Sequence, residues 1–419
     1  MMLRLPLAYM ADRKLMTGLN ILLLALAVAT LVMLLVVSSQ LSQRLSRNAQ
    51  GIDLVVGAKG APLQLILSAI YQMDQPTGNI PLSSIALLRR NPMVAQVIPM
   101  ALGDNFRGYR IVGTEPAYID LYGARIDRGR MFGEHGEVVL GAEAASRLGA
   151  GLGQKFLGSH GLSAGDGSSD HDSHPFETVG ILQRTGTVID RLVLTSIETV
   201  WEVHGIGHEE TAAADHADEA APDHEDEDHD THATADADRE VTALLVRYRS
   251  PAAAVRIPPM INRQTSMQAA VPAVELSRLL GLLGAGIEGA RLFAWLLALI
   301  GGLSIFVTLL NAASAREADL ALLRVMGASR AEVFGVVLAE GLLTALLGAA
   351  VGVAIGHIGL AVATELFVSF KELGLQPWEP VPGEIGIVLA VIAVGLSASL
   401  LPALRVFRMD LAHTLGRTH

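Results

Sequence analysis

The sequence predicts an α+β integral membrane protein with four transmembrane helices in a one-plus-three arrangement. A large mixed α/β domain is inserted between the first and second of them. Three observations predict this. Residues 18–37 run about 20 positions without a charge, roughly 30 Å at the helical rise, the thickness of a hydrocarbon core. Residues 292–313, 333–356 and 385–401 repeat the pattern, with Glu340 the one acid among them. Between the first stretch and the second lie about 250 mostly polar residues with the strand and turn signals of a folded domain.

The order is therefore a lead-in over 1–16, a first span over 17–38, an exported domain over 39–287 and a second span over 288–313. An inner link follows over 314–332, then a third span over 333–356, an outer link over 357–384, a fourth span over 385–404 and a tail over 405–419. Basic residues set the orientation. Arg4, Arg13 and Lys14 precede the first span, Arg316, Arg324 and Arg330 fill the inner link, and Arg405, Arg408 and Arg417 follow the fourth span. The outer link sets Lys371 against Glu365, Glu372, Glu379 and Glu384. By the positive-inside rule both termini and the inner link are cytoplasmic and the domain lies outside. Arg44 and Arg47, just outside the first span, are the one local dissent. The first apolar stretch exceeds the 7–15 residues of a cleaved leader, so an uncleaved anchor is expected.

Within the exported domain, residues 53–72 combine a β-like run, a glycine turn and a helix. Gly57, Lys59 and Gly60 do not have the spacing of a phosphate-binding loop and read as a turn. Strand-like runs follow at 94–98, 109–112, 137–140, 178–181, 191–195 and 241–248, and residues 82–90 and 143–148 look helical. Residues 40–50 and 271–289 continue the first and second spans as stalk helices.

Charge is unevenly placed. The chain carries −11 overall, but residues 205–240 hold 14 acids and one base, which leaves the remainder at +2. No basic stripe is present, which argues against nucleic-acid binding. After Ile206 the acidic segment has almost no large apolar residue. It reads as a disordered loop, since burial cannot offset its ordering entropy. Histidines punctuate it or its approach at His204, His208, His216, His224, His229 and His232. A shorter tract over about 158–175 adds His160, His171 and His174. Imidazole and carboxylate together suit Zn²⁺, so these nine are the candidate metal ligands. The alternative is a solvated acidic linker in which histidine is incidental. With no cysteine in 419 residues, disulfides, thiolate metal sites and a cysteine nucleophile are excluded.

Catalytic patterns are scarce. No zinc-protease, nucleophile-elbow or Walker A motif is present, and the chain is not expected to carry out covalent chemistry. The most specific local signal lies in the inner link and its flanks, residues 312–341. Arg316, Leu320, Leu323 and Arg324 recur at helical spacing, and Gly327 is placed to end a helix. A short amphipathic helix at the inner face of a membrane is what an energy-coupling ATPase could grip; an ordinary turn between membrane helices is the alternative.

At these residues the chain resembles the FtsX-like permeases of ABC transporters, which include the macrolide exporter MacB and the lipoprotein-releasing permeases. The run RE-x-x-x-A-L-L-R-x-x-G-A-S at 316–329 is similar to that family's cytoplasmic motif. Residues 401–415 resemble its C-terminal pattern, with Pro402, Arg405 and Arg408 in place and Met409-Asp410 where a proline is common. RKLMT at 13–17 is similar to its approach to the first span, and the one-plus-three layout matches over the whole chain.

The resemblance implies a half-transporter of the mechanotransmission type: two permease chains, as a homodimer, with two copies of a separate ATPase subunit that supplies ATP hydrolysis. Arg316, Glu317, Leu323, Arg324, Gly327 and Ala328 would form the coupling element, and none would be catalytic. The expected setting is the bacterial inner membrane, among its lipids, with the large domain periplasmic. That domain would act on an envelope lipid, a lipoprotein, or a periplasmic or outer-membrane partner, under conditions tied to zinc through the histidine tracts. A non-transporting signalling or scaffold protein that switches a periplasmic hydrolase is the alternative. Zinc import through the spans is not expected, because Glu340 and His357 are too few to line an ion path.

Overall fold

The computed structural model describes residues 4–157, 159–160, 175–203, 239–316, 322–367, 370 and 374–408. The acidic segment over 205–240, all but two residues of it, therefore lies outside the described residues. The described chain forms two compact units, one of residues 1–43 and 280–419 and one of residues 44–279.

The first unit is helical. Four of its helices are long and apolar enough to cross a membrane: Lys14–Asn48, Pro272–Ala315, Arg330–Leu366 and Gly383–Phe407. All four overrun the apolar stretches read from sequence. A short helix, Arg4–Asp12, precedes them. Leu24, Val28, Val32 and Val36, four apart and hence on one helical face, are buried together with Ile305, Leu309, Ala345, Leu360 and Val391. Small residues let these helices approach. Gly348, Gly352 and Gly356 form a stripe against the first helix, where a Cβ on Gly352 would lie 2.6 Å from the Val28 Cβ and 2.7 Å from the Ala25 carbonyl oxygen. In lipid there is little hydrophobic drive between helices, so such close packing and polar contacts hold a bundle together. Asn20 supplies the polar part. Its amide donates to Thr308 Oγ1 at 3.1 Å, and its carbonyl accepts from Ser304 Oγ at 2.6 Å.

The second unit is built on a mixed sheet. Its strands are β1 (Leu54–Ala58), β2 (Ile80–Pro81), β3 (Val94–Phe106), β4 (Tyr109–Thr114), β5 (Ile126–Gly129), β6 (Glu137–Leu140), β7 (Lys155–Phe156), β8 (Ser159–His160), β9 (Phe176–Leu182), β10 (Val193–Thr195), β11 (Glu240–Val241), β12 (Ala243–Tyr248) and β13 (Met267–Ala270). Among the described residues eleven of them form one sheet, in the order β13-β1-β12-β3-β4-β10-β6-β9-β5, with β7 on β9 and β8 on β3; β11 and β2 pair separately. The runs at 94–98, 109–112, 137–140 and 178–181 fall wholly on strands, three of them longer than expected. The run at 191–195 is strand only from Val193, because Arg191 closes a 3-10 turn, and that at 241–248 is split between β11 and β12. β3 and β4 form a hairpin through Arg107 and Gly108, both at positive φ.

Among the described residues, hydrophobic clusters gather on this sheet. One gathers Leu54, Val56, Leu244 and Val246 with Trp201 and with Ile257 and Ile261 of the helix Ala253–Gln264. Another joins Ile111, Val138, Leu140, Phe156, Phe176 and Val193. Strands buried on both faces lose polar alternation, which is why β1, β6 and β12 read as continuous apolar runs.

Candidate functional site: the connector between the second and third long helices

Residues 316–330 join two of the long helices. The helix Pro272–Ala315 ends in a turn at Arg316. Residues 322–325 are helical, and Arg330 opens the next long helix. Gly327 stops this helical segment at φ +107°, a conformation that glycine adopts without steric cost. Two hydrogen bonds complete the stop: the Ala328 N–H donates to the Leu323 carbonyl at 3.0 Å and the Gly327 N–H to the Arg324 carbonyl at 3.1 Å. That paired pattern is a Schellman motif, and it satisfies carbonyls a helix end otherwise leaves open.

The next helix starts two residues later with a capping box. Ser329 Oγ accepts from the Glu332 N–H at 3.2 Å, while the Glu332 carboxylate accepts from the Ser329 N–H at 2.7 Å. Stop and start are thus locked back to back. Leu323 and Ala328 both pack on a cluster of Ala313, Val333, Val337, Ala403 and Val406, which pins the connector to three long helices.

Arg316 turns inward. Its side chain is 10% exposed, with Asp12 at 3.8 Å and Glu340 at 4.0 Å. Its guanidinium carbon lies 3.9 Å from the centroid of the Tyr9 ring, and Nη2 donates to the Tyr9 carbonyl at 3.4 Å. Arg316 therefore ties the short N-terminal helix to the second and third long helices. Glu340, an acid inside an apolar helix, faces this arginine rather than lipid, as a costly intramembrane charge must.

The outward face is apolar. Leu322, Val325 and Met326 are 56%, 65% and 68% exposed. Sequence reasoning missed them because apolar residues at helical spacing read as core. Of the expected coupling residues, the structure brings Arg316, Leu323, Arg324, Gly327 and Ala328 together in this connector, with Arg324 half-buried; Glu317 lies outside the described residues.

The histidine tracts fall almost wholly outside the described residues. His160 falls in β8, whose backbone pairs with β3, and its side chain is outside the description. His171, His174, His204, His208, His216, His224, His229 and His232 lie outside the described residues. Among the described residues no three His, Asp or Glu side chains gather to hold a metal.

The chain matches two families. Residues 17–255 match the MacB-like periplasmic core domain, and residues 291–411 match the FtsX-like permease C-terminal domain. The chain belongs to the FtsX-like, MacB-like permease family. The permease also resembles the periplasmic region of MacB from Actinobacillus actinomycetemcomitans, at 12% identity and a TM-score of 0.33 over 57% of this chain and 98% of that one. The extracellular domain of the noncanonic ABC-type transporter YknZ from Gram-positive bacteria is similar at 13% identity and a TM-score of 0.29, over 52% and 98% of the two chains. A domain of a permease protein from Porphyromonas gingivalis gives 12% and 0.26 over 53% and 89%. No curated protein matches the permease. Members of this family are permease components of ABC transporters, membrane proteins whose ATPase sits in a separate subunit.

Proposed function

We propose that this permease sits in a bacterial inner membrane as a homodimer and converts ATP hydrolysis by a separate ATPase into motion of its periplasmic domain. Both termini and the 316–330 connector are cytoplasmic in this reading. The moving domain acts on an envelope lipid, a lipoprotein or a periplasmic partner, and the chain itself catalyses nothing.

The observation that carries the reading is the two-sided connector. An exposed apolar ridge of Leu322, Val325 and Met326 stands on a turn whose stop, start and inner face are all fixed. A ridge on a loose loop would yield to a partner's push. A ridge locked to three long helices passes the push to them, because packed interiors move as units rather than deform. The first long helix runs unbroken from Lys14 to Asn48 and the second from Pro272 to Ala315, about 50 and 65 Å at the helical rise. Both exceed a bilayer and are long enough to act as levers.

Zinc enters through the two histidine tracts. Nine histidines among carboxylates offer several weak sites, which suits sensing or buffering of Zn²⁺ beside the moving domain.

The direct test is Arg324→Glu in the permease reconstituted with its ATPase. The variant should insert normally while ATP hydrolysis no longer drives function. Unchanged coupling would remove the docking assignment.

A further inference from the structure

We propose that His357 and Glu384 share one proton, and that this proton latches the link over residues 374–382 onto the long helices. The inference does not depend on the identity of the ATPase or the cargo. His357 lies in the helix Arg330–Leu366 and Glu384 in the first turn of Gly383–Phe407. Their side chains are 12% and 11% exposed. The Nδ1 of His357 is 2.5 Å from the Pro377 carbonyl oxygen, and its Nε2 is 3.2 Å from Glu384 Oε2.

A carbonyl oxygen only accepts, so Nδ1 must carry a hydrogen. The other ring nitrogen then meets a carboxyl oxygen. With no further proton, a lone pair on Nε2 would face a carboxylate, two acceptors in contact at a largely buried position. One added proton resolves this, whether it rests on Nε2 or on Oε2. Glu384 Oε1 accepts from the Val381 N–H at 2.9 Å, so the same carboxyl also holds the far end of the link.

Further contacts make the link a clamp. The His357 ring stacks on Trp378 with centroids 6.3 Å apart and planes at 14°. Gln40, on the first long helix, donates to the Gln376 carbonyl and accepts from the Gln376 N–H, both at 2.8 Å. The link thus bonds to the first, third and fourth long helices, and only the His357–Glu384 contact requires a proton. Among the described residues the charged group facing each member of the pair is the other member. Of the other acids on these elements, Glu332 bonds to Ser329 and Glu340 faces Arg316, and Glu365 and Glu379 bond to neither member.

The test is hydrogen exchange of residues 374–382 in the full-length permease in lipid nanodiscs, across a pH series on both sides of neutrality, with intrinsic rates corrected. Protection should fall about tenfold when the shared proton leaves, the size expected of one buried contact turned repulsive. Glu384→Gln should remove the step, because its amide donates to a neutral Nε2 and keeps the link docked at every pH. His357→Gln should remove it as well. Protection that is flat with pH in the native protein, or an equal fall in both variants, would overturn the latch.

Discussion

Arg316 lies over the ring of Tyr9, its guanidinium carbon 3.9 Å from the ring centroid, 307 residues away in sequence. With Glu340 beneath it and Asp12 at its side, this arginine works inside the permease. The sequence motif placed Arg316 and Arg324 together as coupling residues. In the structure Arg316 braces the connector from within, and under the proposed docking the exposed ridge beside Arg324 faces the ATPase.

Removing the brace should cost stability. Arg316→Gln loses the cation–π contact and takes the salt-bridged cation from Glu340 in an apolar helix, a loss of about 1–3 kcal/mol. Thermal unfolding in detergent should show a lower midpoint, and Arg316→Lys should recover only part of it, since an ammonium lacks the planar fork. A midpoint equal to the native value would contradict the brace.

The glycine stripe makes a second prediction. Gly352→Ala places a Cβ 2.7 Å from the Ala25 carbonyl oxygen, so a backbone must shift, at about 1–3 kcal/mol. Gly335→Ala has open space at its Cβ and should be neutral or stabilising. Comparing the two melting midpoints separates close packing from a general intolerance of alanine.

In the exported domain, Glu137 is 7% exposed and bonded to Arg130, with the Gly133 and Glu134 N–H groups donating to it at 2.9 and 3.0 Å. The Arg130 hydrogen bonds, helped by those backbone donors, hold its carboxyl down at about 2. A lowered folded-state value stabilises above the ordinary carboxylate range, and the stability is lost as pH falls toward 2. Glu137→Gln should therefore lower the unfolding midpoint at neutral pH, and the gap should close steadily below about pH 4.5. A gap that is constant with pH would rule out this charge as its source.

Zinc titration tests the histidine tracts. Calorimetry on the full chain should show Zn²⁺ uptake that falls sharply when residues 209–238 are deleted, with little change in thermal midpoint. Equal uptake by both proteins, or no heat up to millimolar zinc, would end the metal assignment.

Much of the fold was legible because it rests on local chemistry. Long uncharged runs became the four long helices, and β-branched runs at 137–140 and 241–248 became strands. Gly327 announced its helix stop through the one residue type that tolerates that φ. The helix Ala253–Gln264 escaped because Pro258 and Pro259 argue against one. The site was legible in position and obscure in role. Nothing local distinguishes Leu323, which packs inward, from Leu322, Val325 and Met326, which do not. The pairs Tyr9–Arg316 and His357–Glu384 join residues distant in sequence, and neither leaves a periodic signal.

The central claim is that the ridge on the braced connector is where the ATPase pushes. The most direct measurement is ATP hydrolysis by the reconstituted complex, together with pull-down of the ATPase, for the permease carrying Leu322→Ser, Val325→Ser and Met326→Ser. These side chains are exposed, so folding and insertion should be unchanged, while ATPase capture and permease-stimulated hydrolysis fall at least about tenfold, as expected when apolar anchors at the centre of an interface are removed. Native levels of capture and hydrolysis in a correctly inserted triple variant would contradict the account.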